Sequence, residues 1–320
     1  MTPTMAMAAT AIDITALCSA IGALACLLWI LPMSGLESRE PASHARRLWQ
    51  FLALCLAVLT LGSLVLLLYR SHVLSDLPYG QLWPVLPKVL AHTHYGHIWL
   101  VRIAAVGGGW LIWWLGRRHP GQRRWAAVMA AVMAVIAFTR SATGHSADQG
   151  DFTLMEFMDW LHILAGSVWA GGVIAFTLML LNGFMNKTAT APRFNFFVHR
   201  LSRLATAAVL VVLVSGAYNT WQKLLTIDTL WETDYGRHLL WKIGLVGIML
   251  GLGAANRFLH LKKLPMDSPG GANEAAAQRL FRRFLRIEAL AAVAVFIAAA
   301  ILINTLPPHA GMGDMSGMKM

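Results

Sequence analysis

Histidine and methionine, unevenly placed along the chain, offer the most chemistry. Three histidines fall within six residues in the run His92-Thr93-His94-Tyr95-Gly96-His97. If a helix begins near His94, then His94 and His97 share a face at i,i+3. A second group is Met155, Met158, Asp159 and His162, whose spacings of three and four put all of them on neighbouring faces of one helix. His145 closes one apolar stretch and His238 opens another. Imidazole is the commonest transition-metal ligand, and it suits copper. Asp159 is placed to hold His162 in one tautomer, as carboxylates behind metal ligands do. The plainer readings are a polar interfacial loop at 92–97 and a packing histidine at 162.

The chain ends add sulfur. The N-terminus carries Met1, Met5 and Met7, and the C-terminus places His309 ahead of Met312, Met315, Met318 and Met320. Thioethers select Cu(I). Methionines two or three residues apart in a Gly- and Ser-containing tail do not pack a core, whereas Met129, Met133, Met179 and Met249 sit mid-helix and fit gap-filling. The tail 307–320 is therefore expected to capture copper through His309, Met312, Met315 and Met318.

The elements that position these residues follow from composition. Of 320 residues, 57% are hydrophobic and 13% charged, where a soluble chain carries roughly a quarter charged. Apolar stretches long enough to cross a bilayer recur along the whole length, and such segments must be helices because lipid cannot satisfy backbone polar groups. The fold class is all-α: a polytopic membrane helical bundle of about eight spans, near 11–32, 48–69, 97–116, 124–142, 157–182, 201–221, 236–256 and 284–306. The whole chain, 1–320, reads as one integral membrane domain.

The loops after the first, third, fifth and seventh spans, with adjoining helix ends, hold 18 of the 26 Lys and Arg residues. The positive-inside rule makes these loops cytoplasmic and both termini periplasmic. On that topology His72, His92, His94, His97, His145, His162, His238 and His309 lie outside or in the outer half of a helix. His44, His119, His199 and His260 lie on the inner side. No Lys or Arg precedes Arg39, so the first helix reads as a retained span rather than a cleaved signal. The net charge of +11 belongs to short loops beside apolar helices; it points to anionic lipids and not to nucleic acid. Cys18, Cys26 and Cys55 lie in apolar segments without a C-x-x-C motif and read as small hydrophobes.

Two cations sit inside spans. Arg102 and Lys242 each lie about two turns from the outer helix end, where they either snorkel outward or pair with Asp13 or Asp159. Tyr95-Gly96 precedes Arg102 by the spacing at which Tyr235-Gly236 precedes Lys242. A parallel duplication of four plus four helices produces such an echo. The run Gly107-Gly108-Gly109 reads as close helix packing. No nucleophile elbow, phosphate loop or dinucleotide fingerprint is present, so an enzyme is not the leading expectation.

The second half, over residues 155–305, resembles the copper resistance protein D family (CopD/PcoD type). The residues that carry the resemblance are Asp159-Trp160-Leu161-His162 with Trp169-Ala170-Gly171-Gly172, Arg200 through Gly216, and Tyr235-Gly236 through Lys242 to Asn256-Arg257. The first half is similar in layout, with Tyr95-Gly96, Arg102 and Thr143-Gly144-His145. The resemblance implies an inner-membrane protein of copper resistance that works with a periplasmic carrier of the CopC type and moves copper toward the cytoplasm.

Three functions fit these residues. A copper permease would receive the ion at His92, His94, His97, His145, His162 and His238, with Met155 and Met158 beside them and Asp159, Arg102 and Lys242 as neighbouring charges. A membrane oxidoreductase would use histidines on facing helices to ligate haem b. A copper sensor or scaffold would bind without transporting.

Overall fold

The computed structural model describes residues 2–31, 39–144, 150, 152–181, 191–224, 226–264 and 272–305. Helix α1 (Pro3–Ala25) starts where Thr2 accepts a hydrogen bond from the Met5 amide at 3.4 Å and Pro3 takes the first helical position. A wider π turn, Cys26–Ile30, completes this rod. There follow α2 (Arg39–Ser75), α3 (Leu86–His92), α4 (His94–Gly116) and α5 (Arg123–Ser141). The rod of α6 (Leu154–Gly166) and α7 (Gly172–Ala175) is joined by a π turn at Ser167–Gly171 and ends in another at Phe176–Leu180. Then come α8 (Ala191–Lys223), α9 (Thr229–Glu232), α10 (Asp234–Ala255) with a π turn at Asn256–His260, and α11 (Ala272–Ile303). Among the described residues there is no strand. Among the described residues eight helical rods are long and apolar enough to cross a membrane.

The rods of α1 and α6–α7 are the most enclosed; the other six surround them. α1 pairs with α2, α4 with α5, α6 with α8 and α10 with α11, so the neighbour pattern of the first four spans recurs in the last four. One continuous apolar core runs through both halves, from Leu17 and Leu24 to Phe176, Phe194, Leu285 and Ala292.

The central rods meet at glycines. A Cβ on Gly22 would overlap the Gly171 backbone, and one on Gly171 would overlap the Cys18 carbonyl. Small residues let helix backbones approach this closely. Gly171→Ala must push α1 away from the α6–α7 rod, so we expect a loss of about 1–3 kcal/mol, measured as an earlier thermal transition of the detergent-purified protein.

Several helices run further than the apolar pattern predicts. α8 and α11 begin about ten residues before 201 and 284. Their first turns are amphipathic: Phe194, Phe197 and Phe281 are buried, and Arg282 lies over the Phe194 ring at 4.7 Å. Arginine stems cover apolar surface while the charge stays at the interface, which keeps these turns helical beyond the hydrocarbon. Of the glycine run, Gly109 packs against Leu56 and Met133, but Gly107 and Gly108 have no neighbour where a Cβ would stand; close packing holds for one of the three. The bundle end that carries residues 2 and 305 is called the terminal face, and the end bearing most Lys and Arg the basic face.

Candidate functional site

The start of α6 is fixed by a variant of the capping box, in which Glu156 reaches the amide before the N-cap Thr153. Thr153 Oγ1 accepts from the Glu156 amide at 3.2 Å, and Glu156 Oε2 accepts from the Phe152 amide at 2.6 Å. This sets the helix rotation so that Asp159 and His162 point inward. Asp159 Oδ2 lies 3.0 Å from Ser141 Oγ of α5, and Oδ1 accepts from Asn219 Nδ2 of α8 at 3.3 Å. His162 Nδ1 lies 3.1 Å from Ser215 Oγ of α8. The Ser215 hydroxyl donates to the Val211 carbonyl at 2.6 Å, so toward His162 its oxygen accepts. With its proton on Nδ1 the imidazole carries its lone pair on Nε2, the form that binds a metal. Gly216 makes room: a Cβ there would stand 3.1 Å from His162 Cε1.

Asp159 does not hydrogen-bond His162, contrary to the spacing-based expectation. The carboxylate is drawn sideways to Ser141 and Asn219, and the tautomer is set by Ser215 instead. Lys242 of α10 is partly buried and lies within electrostatic reach of Asp159, Cys18 and Lys223. Asp159 thus has two neutral hydrogen-bond partners at contact distance and cations further off.

The first half places a different arrangement at the same depth. Arg102 Nη2 donates to both oxygens of Asp13, at 2.7 and 2.9 Å, and Arg102 Nε donates to Ser63 Oγ at 2.9 Å. Asp13 is fully buried and Arg102 is 7% exposed. Gly62 lets α2 approach the carboxylate, since a Cβ would lie 2.8 Å from Asp13 Oδ1. Arg102 therefore pairs inward rather than snorkelling. Arg102, His162 and Lys242 each stand eight residues into their helices, about 12 Å from the terminal face.

The echo between the halves is geometric as well as textual. Thr93 caps α4 by accepting from the Gly96 amide at 2.9 Å; Thr233 caps α10 by accepting from the Gly236 amide at 3.0 Å. Gly96 lies against the backbone of Val89 and Leu90, and Gly236 against that of Thr229 and Leu230. In each half a short helix packs on a glycine one residue after a tyrosine.

The remaining predicted ligands spread over the terminal face. His92 is exposed at the end of α3. His94 Nε2 lies 3.1 Å from the Ala142 carbonyl, and His97 Nε2 lies 2.9 Å from the Ala91 carbonyl. His238 Nδ1 lies 3.1 Å from Thr305 Oγ1. Met155 is buried and Met158 half-buried on α6. Among the described residues no three His, Cys, Asp or Glu side chains are close enough together to hold a metal ion. His92, His94, His97, His162 and His238 thus do not join in one multidentate site here: backbone carbonyls engage His94 and His97, Ser215 engages His162 and Thr305 engages His238. His145, His309, Met312, Met315 and Met318 lie outside the described residues. Ser141, Ser215 and Asn219 were not anticipated; a lone Asn within an apolar span is the signal that marks Asn219.

Comparison with known proteins adds a second line. A family profile described as copper resistance protein D matches residues 196–302, and one described as copper resistance protein D-like, N-terminal domain, matches residues 1–154. Copper resistance protein D of Pseudomonas syringae pv. tomato is 30% identical over 250 residues, which are 76% of this chain and 76% of that protein. Copper transport protein CutJ of Bacillus subtilis is 30% identical over 184 residues, 58% of this chain. The match spans only 31% of the Bacillus protein's length. No solved structure matches. The likeness expected for 155–305 thus extends into the first half, while Asp159 and His162 fall between the two profile matches.

Proposed function

The chain belongs to the copper resistance protein D family, and from that premise we propose that it serves copper homeostasis by accepting copper at its terminal face and carrying it across the bacterial inner membrane to the cytoplasm. The observation that carries this reading is His162: a half-buried imidazole whose Nδ1 is engaged by Ser215 and near which Asp159 supplies negative charge. The terminal face is outside, since the opposite face holds most of the Lys and Arg. His92, His94, His97 and His238 line the approach, and the tail with Met312, Met315 and Met318 gathers the ion from a periplasmic carrier of the CopC type. Separate weak ligands suit passage, because an ion held too well does not leave.

Cells expressing the protein should accumulate more copper than controls, measured by elemental analysis, and a tag after residue 320 should be cleaved by protease added outside intact spheroplasts. Equal accumulation by cells whose purified protein binds copper would instead mean a sensor or scaffold. A strong Soret band without bound copper would mean a haem oxidoreductase.

A further inference from the structure

A second polar cluster lies at the opposite end of α10. Asn256 opens the π turn there and is 4% exposed; Glu288 of α11 is 5% exposed; Asn256 Nδ2 donates to Glu288 Oε1 at 3.0 Å. Four residues on, His260 is also buried, with its ring against Phe284 at 4.8 Å between centroids. Phe284 precedes Glu288 by four residues, so the antiparallel helices bring 256 opposite 288 and 260 opposite 284, one turn apart.

Two features make this cluster unlike a packing contact. Asn256 Oδ1 and His260 Nε2 are buried with no hydrogen-bond partner. Among the described residues no cation pairs with the carboxylate: Arg257, next after Asn256, turns to Ser202 and Thr206 of α8. An amide oxygen and a carboxylate are acceptors, and so is an imidazole nitrogen in the tautomer that leaves it unprotonated; this is the set that a cation takes and an anion does not. They sit at a π turn, a local widening that recurs at functional sites.

Placement supplies a use. Tyr235, Lys242, Met249 and Asn256 follow one another at intervals of seven, a stripe along one side of α10. Met249 is 1% exposed within the core. From Lys242 to Asn256 the stripe runs about 21 Å, from the depth of His162 to the basic face.

We propose that Asn256, Glu288 and His260 form a cation site at the basic face, from which copper received beside His162 is released to the cytoplasm. The proposal rests on the transport reading. Two oxygens and one nitrogen hold copper less firmly than thiolate or thioether sulfur, so soft cytoplasmic acceptors draw the ion out.

Two measurements on the purified full chain test it. Equilibrium dialysis against Cu(I), kept reduced by ascorbate, counts bound ions for the wild type and for Glu288→Gln with His260→Ala; the double variant should bind one fewer. Glu288→Gln alone, which keeps side-chain volume and the amide contact, should weaken the same ion at least tenfold. Unchanged stoichiometry and affinity in both variants overturn the site. Copper uptake into proteoliposomes should fall at least tenfold in the double variant. A wild type that moves no copper, yet loses an ion on substitution, keeps the site and sinks the transport reading.

Discussion

His162→Ala will lower copper uptake by roughly ten- to a hundredfold while the protein reaches the membrane at its normal level. The imidazole is held between α6 and α8 by Ser215 and the Val212 backbone, and no ion pair holds it. Its removal leaves a small polar gap beside Ser215, whose hydroxyl keeps its bond to the Val211 carbonyl. Folding therefore loses little, and ligation loses the nitrogen. Ser215→Ala should act through orientation: the ring loses the acceptor that fixes its proton on Nδ1, so copper affinity falls while the metal still shows imidazole ligation by electron paramagnetic resonance. Asp159→Asn should reduce uptake too, because the charge that offsets the cation is gone while the contacts to Ser141 and Asn219 can persist. Uptake by His162→Ala equal to the wild type, at equal expression, would remove this histidine from the path and with it the main support for the reading.

Arg102→Met will destabilise the bundle by about 3–5 kcal/mol, because it strands the Asp13 carboxylate, which is fully buried, without its guanidinium. Three charge-assisted or neutral hydrogen bonds from Arg102 disappear together: two to Asp13 and one to Ser63. The measurement is thermal unfolding of the detergent-purified protein. Asp13→Asn combined with Arg102→Met should recover much of the loss, since no bare charge then remains in the core. A single variant that melts with the wild type would show that the pair carries no structural weight.

The spans were legible because lipid leaves a chain no alternative to long apolar helices, and Lys and Arg counts ordered their ends. The matching Thr-capped helix starts of the two halves were legible in Tyr-Gly and the following cation because glycine is demanded wherever a short helix lies on the backbone of the next. The inward pairing of Arg102 was one of two readings, and burial decided it. The partners of Asp159 and His162 were not legible. Which side chain meets another across the bundle depends on helix rotation and on how closely α1 approaches the α6–α7 rod, and Gly22 and Gly171 set that distance without marking what lies nearby. The length of α8 and α11 was hidden for a related reason: their first turns are too basic to look like membrane helix, although buried phenylalanines hold them in place.

The two halves share one plan but differ in how their charges are engaged. Asp13 is clamped by Arg102, while Asp159 meets only uncharged groups at contact distance. On the proposed function, the first half serves as chassis and the second as the working part. Damage to the first should surface as missing protein, and damage to the second as protein that is present but idle, so abundance and flux in a mutant library should sort by half.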